Sequence, residues 1–164
     1  MTMAETVTAE APTLSIAIET PDQPEIVELI ALSDAYSLAR YPAEGHFGTD
    51  VEGLSGDDVS FAVVREAGAA IGCAALKWNE DGTAELKRLF VREEGRGKGV
   101  ARKGVAFLED MARERGIARI DLETGPLNTE AIGLYGSLGY AECGPFPPYE
   151  ANPYSLFMTK ELAD

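Results

Sequence analysis

A glycine-rich turn between an apolar segment and an amphipathic segment is the feature that most restricts how this chain can fold. Residues 92–101 read Arg-Glu-Glu-Gly-Arg-Gly-Lys-Gly-Val-Ala and follow the apolar run Ala84–Val91. Over residues 97–115 apolar side chains recur at helical spacing, which predicts an amphipathic helix. A strand that passes through such a turn into a helix directs backbone N–H groups toward an anion. Arg96 and Lys98 add positive charge, so the segment predicts a phosphate site.

A flexible surface connection rich in glycine and charge is the other interpretation of this segment, because short glycine motifs are weak signals. Two other phosphate motifs are excluded. A Walker A loop needs Gly-Lys-Ser/Thr at a spacing that does not occur here. The dinucleotide fingerprint GxGxxG is not met, since Gly95, Gly97 and Gly99 alternate and the segment follows antiparallel strands.

The remaining periodicities predict one mixed α/β (α+β) domain over residues 14–164, preceded by a loose tail at 1–13. Thr20-Pro21-Asp22 supplies turn and N-cap chemistry for the first helix, and Tyr41-Pro42 ends it. The other predicted elements are a short helix near Asp50–Leu54, strands at Leu14–Ile18, Phe61–Val64, Ala70–Trp78, Ala84–Val91, Ile117–Glu123, 140–142 and Ser155–Thr159, and helices at 97–115 and Asn128–Leu138.

Charge and cysteine content narrow the classes of function. Fourteen Lys and Arg against 28 Asp and Glu give a net charge of −14, which disfavours nucleic acid and anionic membranes as partners. Cys73 and Cys143 lie far apart and outside any Cys/His cluster, so neither a disulfide framework nor a metal site is expected. The N-terminus is acidic and no apolar run reaches about 20 residues, so we expect a cytoplasmic protein.

Two segments resemble signatures of the GNAT superfamily of N-acetyltransferases. The turn resembles the superfamily's Gln/Arg-x-x-Gly-x-Gly/Ala pattern in two registers, one beginning at Glu94 and one at Arg96. The first register places glutamate where Gln or Arg is expected. Residues 128–140 resemble the pattern Asn-x-x-Ala-x-x-x-Tyr-x-x-x-Gly-Phe/Tyr. The resemblance implies a mixed, mostly antiparallel sheet of about six to seven strands flanked by about four helices.

The resemblance also implies acetyl-CoA as cosubstrate, with its pyrophosphate at the turn. Leu89 and Val91 would offer backbone groups to the pantetheine arm, although their side chains also suit a core. Asn128 would hydrogen-bond the same arm and also suits a helix N-cap. The residues expected to contact the coenzyme are Leu89, Phe90, Val91, Arg96, Gly97, Lys98, Gly99, Val100, Ala101, Asn128 and Tyr135.

Acetyl transfer to an amine needs a neutral nucleophile, and deprotonating an alkyl amine at pH 7 costs about 4.6 kcal/mol. By resemblance Glu85 is the expected base, and an exposed strand carboxylate paired with Lys87 is the alternative. Tyr135 is by resemblance the expected general acid for the leaving thiolate, and a core tyrosine is the alternative.

The acceptor is expected to be a small-molecule amine attacked directly in a ternary complex. In this superfamily the first helix and two loops usually line the acceptor, and a homodimer is possible by analogy. A protein N-terminus or lysine as acceptor, and a non-catalytic acetyl-CoA-binding module, stay open. The aromatic and acidic residues in those segments are Tyr36, Tyr41, Glu44, His46, Phe47, Phe146, Tyr149 and Glu150.

Overall fold

The computed structural model describes residues 13–45 and 48–162. The predicted tail at 1–13 therefore falls almost wholly outside the described residues, as do His46 and Phe47. The strands are β1 (Leu14–Ile18), β2 (Val59–Glu66), β3 (Ala69–Trp78), β4 (Thr83–Val91), β5 (Arg119–Thr124), β6 (Ala141–Cys143) and β7 (Leu156–Glu161). The α-helices are α1 (Pro24–Leu38), α2 (Val51–Leu54), α3 (Val100–Glu114) and α4 (Thr129–Ser137).

The described strands form one seven-stranded sheet in the order β1-β2-β3-β4-β5-β7-β6. Every neighbouring pair is antiparallel except β4 and β5, which run parallel. The predicted fold class is confirmed.

Helices cover both faces of the sheet because the central strands are apolar on both sides. On β2, Ala62 packs in the cluster that contains Val105 and Leu108 of α3. Its neighbour Phe61 packs in the cluster that contains Ile26 of α1. Successive side chains of a strand point to opposite faces, so an unbroken apolar run of this kind is buried on both sides.

The first helix departs from the prediction at both ends. Its N-cap is Gln23, without a side-chain cap, because Pro24 takes the first helical position, where a missing N–H costs nothing. Asp22 is therefore not the cap. The helix ends at Leu38 rather than near Tyr41, whose hydroxyl accepts a hydrogen bond from the Leu127 N–H at 2.7 Å. Tyr41 thus makes a tertiary contact, which the local sequence pattern cannot predict.

A gap in the sheet opens where β4 and β5 separate. Their parallel pairing runs from Thr83 opposite Arg119 to Leu86 opposite Leu122 and then stops. Beyond that point β4 carries a bulge against β3, and Arg88 in it has a positive φ of 57°. Because both strands continue past the end of their pairing, they form the walls of a V-shaped cleft.

Candidate active site

The cleft between the separating strands has a volume of about 440 Å³. One end, which we call the turn end, is formed by residues 95–102. The other, the carboxylate end, contains Glu85, Lys87, Glu123 and Tyr149. Most of the predicted site residues line this cleft: Tyr36, Tyr41, Glu85, Leu89, Phe90, Val91, Arg96, Gly97, Gly99, Val100, Ala101, Asn128, Tyr135 and Tyr149.

The turn end has the backbone shape of an anion site. Gly97 and Gly99 adopt positive φ values of 81° and 77°. Apart from the two adjoining residues, no described residue has an atom within 4 Å of the position that a Cβ would take on either glycine. Gly99 is the N-cap of α3 and supplies no side-chain cap. No side chain of the described residues caps the first N–H groups of the helix, so these groups are oriented to bind an anion.

The two basic residues of the turn lie in different places. Arg96 lines the cleft, with its guanidinium carbon 5.9 Å from the centre of the Tyr36 ring. Lys98 is absent from the lining and pairs with Glu66 of β2 at 3.0 Å. Arg102, on the first turn of α3, lines the cleft and was not predicted. Of the two predicted basic residues, Arg96 thus lines the cleft and Lys98 does not.

Arg88 fixes the bulge of β4 and is a residue that the sequence analysis missed. Its guanidinium pairs with Asp34 at 2.6 Å and donates to the Thr49 carbonyl at 2.8 Å. It also lies 3.2 Å from the Ser33 hydroxyl, so it joins β4 to α1 and to the loop before α2. The signal for this role is a positive φ at a non-glycine residue, which the sequence does not display.

Glu85 is buried and held by two donors. Its Oε2 accepts from the Lys87 ammonium at 3.1 Å and from the Tyr149 hydroxyl at 2.5 Å. Among the described residues, none donates to the other oxygen, Oε1. Burial and the bond to Glu85 raise the pKa of Tyr149, so its hydroxyl keeps the proton that it donates.

Glu123 is a second carboxyl group in the cleft and was not predicted to be part of the site. It directly follows Leu122, the last residue of β5 that pairs with β4, so it lies at the apex of the V. Burial raises its pKa, whereas a hydrogen bond from the Ser155 hydroxyl at 2.7 Å opposes that rise. No local motif marks this residue, because its position depends on which strand lies beside β5.

Tyr135 lines the cleft from α4 and is 6% exposed. Its ring packs edge-to-face on Tyr140, with 5.8 Å between the centroids. Burial, and then the charge of Glu123, raise the pKa of its hydroxyl, so the group stays protonated at neutral pH. Asn128 also lines the cleft and caps α4, accepting from the Ala131 N–H at 3.4 Å.

The predicted acceptor residues divide into two groups. Tyr36, Tyr41 and Tyr149 line the cleft, whereas Glu44 is exposed and is not part of its wall. Phe146 lies behind Tyr149, with 5.1 Å between their ring centroids, and does not line the cleft. Tyr154, which was not predicted, does line the cleft.

Tight contacts between loops close the wall at the acceptor side. Gly125 has no room for a side chain, since its Cβ would overlap the Tyr41 hydroxyl. A Cβ on Gly45 would lie 2.6 Å from the ring of Tyr154. The loop after α1 is thereby packed against both the loop after β5 and the loop before β7.

Comparison with known proteins gives this arrangement a family. Residues 24–140 match the model of the acetyltransferase (GNAT) family. The IAA acetyltransferase of Azospirillum brasilense is 40% identical over 152 residues, which are 92% of this chain and 99% of that protein. The chain belongs to the GNAT family. It is a GNAT-type N-acetyltransferase, in a family that uses acetyl-CoA.

Two solved structures of GNAT proteins share the fold. One, from Klebsiella pneumoniae and assigned as an acyl-CoA N-acyltransferase, has a TM-score of 0.77 and 32% identity over 92% of this chain and 99% of that one. The other is the PaiA N-acetyltransferase of Thermoplasma acidophilum in complex with coenzyme A, with a TM-score of 0.71. It is 18% identical over 91% of this chain and 99% of that one, so this likeness concerns the fold alone.

Among the described residues there is neither a metal-binding cluster nor a helix that could span a membrane. Within residues 13–45 and 48–162, no three His, Cys, Asp or Glu side chains lie together as ligands of a metal ion would. In the same part of the chain, every helix is too short or too polar to cross a membrane.

Proposed function

We propose that this GNAT protein transfers the acetyl group of acetyl-CoA to the primary amine of a small molecule, by direct attack in a ternary complex. The observation that carries the proposal is the single cleft that joins an anion-binding turn to two carboxyl groups and a protonated tyrosine. The residues in the cleft fit the coenzyme, because the turn end offers backbone N–H groups, Arg96 and open space over Gly97 and Gly99. Acetyl-CoA would supply the thioester acetyl group.

The turn is proposed to bind the pyrophosphate in the register that begins at Arg96. Arg96 lines the cleft, and Glu94 does not. In this register the motif ends at Ala101, the second residue of α3, so the N-terminus of the helix would face the phosphate. Lys98 is left out of the proposed contacts, because its ammonium is paired with Glu66.

The pantetheine arm is proposed to lie along the free edge of β4. After Leu86 this strand has no parallel partner among the described strands, so the backbone groups of Leu89 and Val91 on that side face the cleft. Unpaired strand edges bind an extended ligand through main-chain hydrogen bonds. Asn128 lies across the cleft on α4 and can donate its side-chain amide while its Oδ1 caps the helix.

Glu85 is proposed as the base that removes a proton from the acceptor ammonium. Its Oε1 accepts no hydrogen bond from the described residues, and Glu85 lines the cleft although it is only 5% exposed. The neutral amine forms the new N–C bond as the C–S bond breaks. In total the nitrogen loses two protons and the sulfur gains one, so one proton leaves to solvent. Glu123 lies near this path and is the second carboxyl group able to accept a proton.

Tyr135 is proposed to assist the leaving sulfur as a donor. A thiol has a pKa near 8.5, well below the raised pKa of this tyrosine, so full proton transfer would be uphill. The hydroxyl can still donate a hydrogen bond to the developing thiolate, and bonds to charged groups are worth about 1.5–3 kcal/mol. The structure therefore favours stabilisation of the leaving group by hydrogen bonding.

A small acceptor is favoured over a protein by the closed wall of loops. Tyr41 and Tyr154 hold the loop after α1 against both neighbouring loops, which leaves a confined cleft of small-molecule size. We also propose that the protein acts in the cytoplasm, because Cys73 and Cys143 are both free thiols, as is usual in a reducing compartment. A homodimer stays a prediction, which light scattering on the purified protein tests.

The test is a continuous assay of thiol release from acetyl-CoA with a panel of primary amines and with peptides. We expect release that depends on a small amine and yields the N-acetyl product by mass spectrometry. Release only with peptides would support the protein-substrate alternative. Calorimetric binding of acetyl-CoA with no turnover on any acceptor would instead indicate a non-catalytic binding module.

A further inference from the structure

At the carboxylate end, the charge of Glu85 is already compensated by a neighbouring lysine. Glu85 pairs with Lys87 at 3.1 Å, and both side chains are largely buried, with exposures of 7% and 13%. Arg88, the next cation along β4, pairs with Asp34 at 2.6 Å. Glu123 shares its hydrogen bond with a neutral hydroxyl. An alkylammonium ion that binds at Glu85 therefore meets a carboxylate that is already neutralised by Lys87.

Binding a simple amine at Glu85 would have an electrostatic cost. The amine would compete with Lys87 for the same carboxylate, and the lysine ammonium would be left less well paired in a largely buried place. Removing one partner of a buried ion pair is strongly destabilising, because the other charge stays desolvated. A ligand that carries only a positive charge thus gains little binding free energy from Glu85, although Glu85 is a carboxylate.

An acceptor that carries its own carboxylate removes this cost. Its ammonium can pair with Glu85 while its carboxylate pairs with Lys87, so one ion pair is exchanged for two. The Tyr149 hydroxyl lies 3.1 Å from the lysine nitrogen and 2.5 Å from Glu85, and it can donate to either carboxylate. Drawing Lys87 away also leaves Glu85 freer to accept a proton from the amine.

We propose that the acceptor is a free amino acid, with its amine at Glu85 and its carboxylate at Lys87 and Tyr149. This inference rests on the proposed acetyltransferase function and names the substrate class for it. In an α-amino acid both charged groups are attached to one carbon, which matches a cation and an anion in direct contact on the protein. A peptide N-terminus carries an amide at that position and cannot pair with Lys87.

A second cavity gives the acceptor's side chain a place. It has a volume of about 500 Å³ and also borders Glu85, Lys87 and Tyr149. Its other walls come from the region of α2, from the start of β2 and the end of β3, and from Pro147 and Pro148. The ion pair of Glu85 and Lys87 thus lies between the two cavities. A ligand can therefore bind both residues and still extend into the second cavity, away from the coenzyme.

The test compares sets of acceptors that differ in one group: an amino acid, its amide and the amine that lacks the carboxyl group, for aromatic and aliphatic side chains. We expect kcat/KM for the wild type to be at least about tenfold higher for the best amino acid than for its amide and amine. Calorimetry in the presence of coenzyme A, which cannot react, should give the same order of binding.

Lys87→Met should abolish this preference, and Lys87→Gln is the second variant in case the first folds poorly. The matched control is Lys160→Met, since Lys160 is paired with another buried glutamate, Glu109, at 3.0 Å and lines neither cavity. The control should keep the wild-type preference. Equal or better acetylation of amides or amines by the wild type would overturn the inference and leave the proposed function intact. Absence of thiol release with every compound would overturn the proposed function itself.

Discussion

The turn end and the carboxylate end of the cleft are built from the chain in different ways. The turn end comes from one continuous segment, residues 95–102, whose shape depends on glycines at positive φ and on the start of α3. The carboxylate end combines β4, the end of β5 and the loop before β7, which are far apart in the sequence. Local sequence therefore determines one end, and strand order determines the other.

The two ends also treat charge differently. At the turn end Arg96 is exposed and directed to the cleft, ready to meet a phosphate. At the carboxylate end the charges are buried and paired before any ligand arrives. We infer that the turn end selects an anionic ligand through the positive charge of Arg96. The carboxylate end selects a ligand whose own charged groups can replace the ion pair between Glu85 and Lys87. Substitutions at each end should separate these two functions.

The largest effect on turnover is expected from Glu85→Gln. Loss of the base should lower kcat by about 10²–10³, with little change in the affinity for acetyl-CoA. The matched control is Asp121→Asn, which removes another buried, ion-paired strand carboxylate outside the cleft. Steady-state kinetics with a saturating acceptor measures the effect. An unchanged kcat in Glu85→Gln would remove this residue from the mechanism and point to Glu123.

A smaller effect is expected from Tyr135→Phe. Loss of a hydrogen bond to the leaving sulfur should lower kcat about 10- to 100-fold. Tyr140→Phe is the control, because Tyr140 packs on the same ring but does not line the cleft. If both variants lost the same activity, the tyrosine pair would serve packing rather than the chemistry.

Within the turn, Arg96→Gln and Lys98→Gln should behave differently. Arg96→Gln should weaken acetyl-CoA binding about tenfold, less so at high salt, because a charge-assisted contact with phosphate is lost. Lys98→Gln should leave the affinity within about twofold, since its ammonium is paired with Glu66. Equilibrium titration at two salt concentrations measures both. Equal losses would mean that Lys98 leaves Glu66 when the ligand binds.

The smallest effect concerns stability and pH. The raised pKa of Glu123 means that the folded state holds its proton more tightly than the unfolded state does. Its stabilising contribution is complete below 4.5, the ordinary pKa of a glutamate, and is lost as the pH rises through the folded-state pKa. Chemical denaturation between pH 4 and 7 should show a smaller fall in stability for Glu123→Gln than for the wild type. If the stability of both proteins changed with pH in the same way, a raised pKa of Glu123 in the folded state would be contradicted.

The fold and the turn end could be predicted from the sequence because both depend on local pattern. Alternating apolar residues, the glycine turn and the two motifs locate the strands, α3 and Tyr135. Arg88, Glu123 and Tyr154 could not be found in this way, since each acquires its role from a neighbour distant in the chain. The pairing of Lys98 could not be predicted for the same reason, because its partner Glu66 lies on β2.

The most direct test of the account is a calorimetric titration of acetyl-CoA into three variants beside the wild type. Gly99→Val should lose most of the affinity, because it fills the open space over the turn and strains a positive φ. Gly68→Val imposes the same strain on the β2–β3 turn and should bind like the wild type. Glu85→Gln should also bind normally. Undiminished binding by Gly99→Val, or loss of binding by Glu85→Gln, would contradict the assignment of the two ends.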